Sequence, residues 1–249
     1  MMTGIGKAAL TITTKSPRAQ RYFNQGLALL HCFWGNEAMR SFQEAIRLDP
    51  NCAMAYWGMY QVMSNPITGA DKPDEKKGFL KKALDLGPKV SPQEQAYIKA
   101  IELRESLGGE KGRLAYQQEM ESLIARYPND IQAKLVLAQF LFIYDFSHSF
   151  ELTGEPSKNR QRSLELVKEV LATDPNNAAA HHYWIHVVEG TNEPESALNS
   201  ARVLSRLAPA SGHMVHMPGH IYFRLGNCHT VKTIPKSIAL TRLPFIHCD

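Results

Sequence analysis

Apolar and polar residues alternate with a helical period along most of the chain. The runs SFQEAIRL, GFLKKALDL, YQQEMESLIARY, RSLELVKEVLA and SALNSARVLSRL each place apolar residues three and four apart, which predicts amphipathic helices. Each run is followed by a proline-bearing turn, with Pro50, Pro88, Pro128, Pro175 and Pro209 as the punctuation. Proline lacks an N–H and restrains the residue before it, so helices end there. These prolines lie 38, 40, 47 and 34 residues apart. A period near 34 residues with insertions predicts pairs of antiparallel helices stacked side by side. Strand-like alternation is confined to TITT near the start and VKTI near the end. Ser91-Pro92-Gln93-Glu94 combines a cap, a proline at the first helical position and a capping-box glutamate. Gly108-Gly109 breaks the helix that follows.

On these features the chain resembles the tetratricopeptide repeat family. The unit at 19–52 carries the likeness best, with Tyr22, Gly26 and Leu29 in its first helix, Ala38, Phe42 and Ala45 in its second, and Pro50 closing it. Ala197 and Pro209 fit the unit at 178–211, and Gly219 and Tyr222 fit the next. The units at 53–90 and 91–130 match in period and polarity more than in letters, and the unit at 131–177 carries an insertion at 147–160. The resemblance implies an all-α fold, a right-handed α-solenoid of antiparallel helix pairs. Residues 1–18 are then an N-terminal arm. Residues 19–226 form a repeat domain of about five helix pairs plus a final first helix, and 227–249 an irregular tail. Small residues such as Gly26, Ala38 and Ala45 allow close helix approach.

Such repeats turn positions 2, 5, 9 and 12 of the first helix of each pair into a concave groove. In the N-terminal half this selects Phe23, Leu27, Trp57, Gln61 and Gln139, an apolar and aromatic wall with a few amides. The resemblance implies a scaffold that binds a protein or peptide segment there, with Phe23 and Trp57 as anchors. Two alternatives stand beside it: a superhelix closing on itself, and the insertion filling the groove.

The C-terminal half has a different groove. HHYWIHVVEG and GHMVHMPGH, residues 181–190 and 212–220, hold six of the ten histidines. His182, His186 and Glu189 fall on one helical face, and His213, His216 and His220 on another. Repeat alignment pairs His182 with His216, and His186 with His220. Imidazole is the commonest transition-metal ligand, so His182, His186, Glu189, His213, His216 and His220 are the candidate ligands for zinc or a similar ion. The competing reading is a polar wall of mutually hydrogen-bonded histidines. His181 points into the helix packing and is read as a core residue. Met217-Pro218-Gly219 predicts a kink. The zincin motif H-E-x-x-H is missing, since Tyr183 follows His182. There is no G-x-S-x-G motif, phosphate-cradling glycine loop or zinc knuckle, so an interaction or metal-binding role is favoured over an enzyme.

Charge adds little. A net +4 spread without a basic stripe disfavours nucleic acid. No apolar run is long enough to span a membrane and the start is a poor signal peptide, which makes the cytoplasm the default compartment. None of the four cysteines forms a C-x-x-C, and Cys32 and Cys52 read as small core residues. The tail, with Pro235 and Pro244, leaves the repeat pattern at Asn227. A last helix left uncovered predicts a fragment of a longer repeat protein or an altered C-terminus, with an extended cap or a dimerising tail as the competitor.

Overall fold

A computed structural model describes residues 1–67, 72–148 and 157–227. The expectations for the tail, for Cys228 and Cys248 and for most of the insertion lie outside these residues. Among the described residues there are helices and no strand. In order they are α1 (Pro17–His31), α2 (Gly35–Leu48), α3 (Ala53–Met63), α4 (Pro73–Leu86), α5 (Pro92–Leu107), α6 (Gly109–Arg126), α7 (Ile131–His148), α8 (Lys158–Thr173), α9 (Ala178–Val188), α10 (Leu198–Leu207), α11 (Gly212–His216) and α12 (Pro218–Arg224). Helix ends sit where the caps require. Ser16, Ser157, Asn177 and Ser211 each accept a hydrogen bond from a backbone N–H in the first turn that follows. Ser91 and Glu94 complete the expected capping box. Each such cap is worth about 1 kcal/mol.

The chain divides into two compact units, with the boundary inside α7. The N-terminal unit comprises Met1–Met2 and Lys7–Leu137, and the other comprises Thr3–Gly6 and the chain from Ala138 onward.

In the N-terminal unit Phe42 of α2 is fully buried between α1 and α3. A Cβ at Gly26 would lie 2.7 Å from its ring and one at Gly58 2.6 Å, so both helices need glycine at the contact. Trp57 of α3 packs edge-on against Tyr97 of α5, ring centroids 5.2 Å apart. His31, in the last turn of α1, reaches Gln132 in the first turn of α7 at 2.8 Å, and both are buried. The arm is extended and tied down. Leu10 and Ile12 are buried, and the Ile12 N–H donates to Gln20. The Thr13 N–H and hydroxyl both donate to the buried Glu94 carboxylate, at 2.7 and 2.5 Å. Cys32 and Cys52 are fully buried, as expected of core residues.

The second unit packs α8, α9, α10 and the α11–α12 pair around Leu166, Val170, Tyr183, Ile185, Leu204 and Met217. The Ser163 hydroxyl of α8 donates to the Ala138 carbonyl at 3.0 Å. Phe142 of α7 is buried against Tyr183. The kink expected at Pro218 is present. Helix α11 ends at His216 and α12 starts at Pro218, while Met217 between them keeps helical dihedrals (φ −54°, ψ −37°).

Candidate metal centre

Helix α9 starts at the Asn177 cap and α11 at the Ser211 cap, so the histidines occupy the expected positions along each helix. The axial match between the helices differs from the expectation. His213 Nε2, not His216, lies 2.9 Å from His182 Nε2, and it lies 3.4 Å from His186 Nε2. The helix carrying His213 is displaced by three positions, about 4.5 Å of helical rise. Repeat alignment fixes where a residue sits within its own helix. It carries no information on how far one helix slides along the next, and that slide decides which rings meet.

The displacement gathers three nitrogens. Those of His182, His186 and His213 all lie within 4.8 Å of one another. A tetrahedral zinc with Zn–N bonds of about 2.0–2.1 Å needs ligand nitrogens about 3.3–3.4 Å apart. The 2.9 and 3.4 Å separations from His213 lie within about 0.5 Å of that requirement, while the His182–His186 pair is held only to within 4.8 Å. The rings are held by packing. His182 is fully buried, His186 stacks on Phe142 at 5.4 Å with an interplanar angle of 14°, and His182 packs against Tyr183.

Glu189 has another place than the ligand role expected of it. Its Oε1 lies 2.9 Å from His186 Nδ1, and its Oε2 lies 2.5 Å from His220 Nδ1, a close ionic contact without hydrogen-bond angles. The carboxylate faces the Nδ1 edges of both rings and holds their Nε2 atoms outward. A carboxylate behind a metal-ligating histidine fixes tautomer and ring orientation and raises the basicity of the ligand nitrogen. His220 Nε2 meets His216 Nε2 at 2.8 Å, not His186. The six residues expected to act together thus divide into a trio, a pair and a carboxylate between them.

Charge follows this arrangement. Burial, followed by the neighbouring His186, His216 and His220, pushes His213 down to about 3, so it is neutral at physiological pH. Burial, then His220, lowers His216. Burial alone raises the Glu189 carboxyl, but His186 and His220 outweigh it and hold it well below the usual carboxylate range. Imidazoles beside one carboxylate, with His213 neutral, form a donor set suited to a divalent ion. His181 is a core residue, as its position predicts. It is 2% exposed, with Nδ1 at Ser200 Oγ and Nε2 at the Pro175 carbonyl, both 2.9 Å away, and burial lowers its pKa.

The residues expected to form a partner groove are placed differently. Phe23 and Leu27 are 0% exposed and Trp57 1%, so they are core and present no surface to a partner. Gln61 is half-buried, its Nε2 3.4 Å from the Tyr116 hydroxyl. Gln139 is buried, and its Nε2 has no hydrogen-bond partner among the described residues. For the aromatic pair the physical cause lies within the N-terminal unit: Phe23 is packed on Phe42 of α2 and Trp57 on Tyr97 of α5. None of the five lines the cleft of about 510 Å³ between the arm and the Arg126–Ile131 turn.

No family model matches the chain, and no curated protein matches it. Among solved structures, the chain is similar to a thermophilic TPR protein of Thermus thermophilus. The two share 15% identity with a TM-score of 0.43 over 88% of this chain and 92% of that one. The helical-repeat architecture rests on the helix pairs themselves. No helix of the described residues is long and apolar enough to cross a membrane.

Proposed function

We propose that this helical-repeat protein binds a transition-metal ion of the zinc class through His182, His186 and His213. The observation that carries this reading is the convergence of three Nε2 atoms from two helices, backed by a carboxylate on Nδ1 of one of them. Three imidazoles suit zinc, nickel, copper or iron better than magnesium or calcium, which take oxygen ligands. The chain's own residues supply three imidazole donors in a buried to half-buried site and one negative charge.

The test is elemental analysis of tag-free full-length protein purified without chelator, followed by zinc titration. Wild type is expected to bind zinc tightly, and His213→Ala to lose at least a hundredfold in affinity while keeping its helical circular dichroism. An absence of binding in well-folded wild type after incubation with zinc, nickel and copper sinks the proposal and leaves a hydrogen-bonded histidine wall.

A protein-interaction scaffold is the second reading. The stacked helix pairs favour it, as do Leu107 and Leu114, 52% and 43% exposed on the α5–α6 pair. A fold alone does not specify a partner. On this reading Leu107→Asp/Leu114→Asp abolishes capture of a partner by an immobilised chain without lowering the melting temperature, and capture undiminished by the double change would count against it.

A further inference from the structure

The three-histidine site leaves His216 and His220 unused. We propose that this pair forms a second, weaker transition-metal position oriented by the same Glu189 carboxylate, so that one chain takes two ions. The inference rests on the metal-binding reading above and deepens it.

Four observations bear on it. The two rings meet edge to face, centroids 4.8 Å apart at 87°, with Nε2 atoms separated by 2.8 Å. Opening that separation by about 0.5 Å gives the spacing two nitrogens need on one tetrahedral ion. The pair survives the break in the helix. Because Met217 stays helical across the Pro218 kink, His216 and His220 remain one turn apart on one face. Glu189 Oε2 sits at His220 Nδ1, as Oε1 sits at His186 Nδ1. One carboxylate therefore orients a ligand of each position and leaves both Nε2 lone pairs facing away from it. Last, access differs. His182 is fully buried, whereas the His220 side chain is 25% exposed and His216 half-buried, so water can complete the coordination of an ion held by only two imidazoles.

These features also set the order of filling. The trio offers three protein nitrogens and the pair two. Glu189 is one charge shared between them, and a cation at the trio raises the cost of a second cation nearby. The pair should fill after the trio, with affinity at least tenfold lower.

The experiment is a cobalt(II) titration of chelator-stripped, full-length, tag-free protein near pH 7.5, followed by visible absorption and by equilibrium dialysis. Wild type is expected to bind two ions per chain in two phases. His216→Ala/His220→Ala, checked for folding by circular dichroism, keeps the tight phase and loses the weak one, and His216→Asn/His220→Asn serves if the alanine pair does not fold. Glu189→Gln weakens both phases about tenfold to a hundredfold together. One ion per chain in wild type overturns the second position and leaves the first standing. Two ions in the His216/His220 variant overturn the assignment of ligands. A Glu189→Gln variant in which only one phase weakens overturns the shared orientation. No cobalt bound by wild type removes both readings together.

Discussion

Trp57→Ala should destabilise the N-terminal unit by about 3–5 kcal/mol, the usual consequence of removing a large buried aromatic. Trp57 is 1% exposed and rests on Tyr97, itself fully buried with its hydroxyl donating to Asp130 at 2.8 Å. The cavity left by the indole would open between α3 and α5, where Gly58 and Phe42 already pack too closely for small shifts to refill it. Thermal or urea unfolding checks this directly, and a fall in melting temperature on the order of 10 °C is expected. Lys81→Ala is the control. Its exposed salt bridge to Asp85 contributes little, and the change should stay within about 0.5 kcal/mol. If Trp57→Ala left stability unchanged and only weakened binding to a partner, the indole would be a surface anchor and the core described for this unit would be wrong.

The second large effect is a loss of stability in acid that depends on His31. Burial pushes this imidazole down to about 4, with the hydrogen bond to Gln132 working in the opposite direction. Its Nε2–H donates to the Gln132 amide oxygen at 2.8 Å in a buried setting. The unfolded chain therefore binds a proton near pH 6.5 that the folded chain refuses until about pH 4. Between those values the unfolded state carries more protons, so stability rises with pH. The contribution is complete above about pH 7 and is lost as the pH falls through the window to about 4. A shift of this size corresponds to about 3 kcal/mol. Urea midpoints at pH 7.5 and pH 4 for wild type and His31→Gln isolate it, since glutamine can still donate to Gln132 and does not titrate. The wild type should lose about 3 kcal/mol more than the variant. Equal losses in the two would mean that His31 meets water in the folded protein.

Much of this structure is legible in the sequence. The prolines at 50, 88, 128, 175 and 209 end helices or lie in the turns after them, and the Ser91–Glu94 capping box forms as written. These features are local, and their physics is complete within a few residues. His181 is legible for the same reason, because its position on α9 sends it inward whatever lies across the groove. The rest depends on distances between helices. The three-position slide of α11 against α9 replaces His216 with His213 as the partner of His182 and moves Glu189 from ligand to orienting carboxylate. The burial of Phe23 and Trp57 depends on Phe42 of α2 and Tyr97 of α5 reaching them, contacts between helices that no short-range pattern announces. Glu94 reads as a capping residue and is one, but its second task, holding Thr13 of the arm, leaves no mark in the residues around it.

The hydrogen bond from α1 to α7 joins residues 101 positions apart, and the bonds from the arm to α5 join residues 81 apart. In an open repeat array each unit touches only its neighbours, so it can form as soon as it has been made. Here α1 cannot bury His31 until Gln132 has been synthesised, which at about 5–20 residues per second is a delay of roughly five to twenty seconds on the ribosome. During that interval the last turn of α1 lacks its α7 partner. Completion of the N-terminal unit thus waits for its seventh helix, where an open array would form pair by pair.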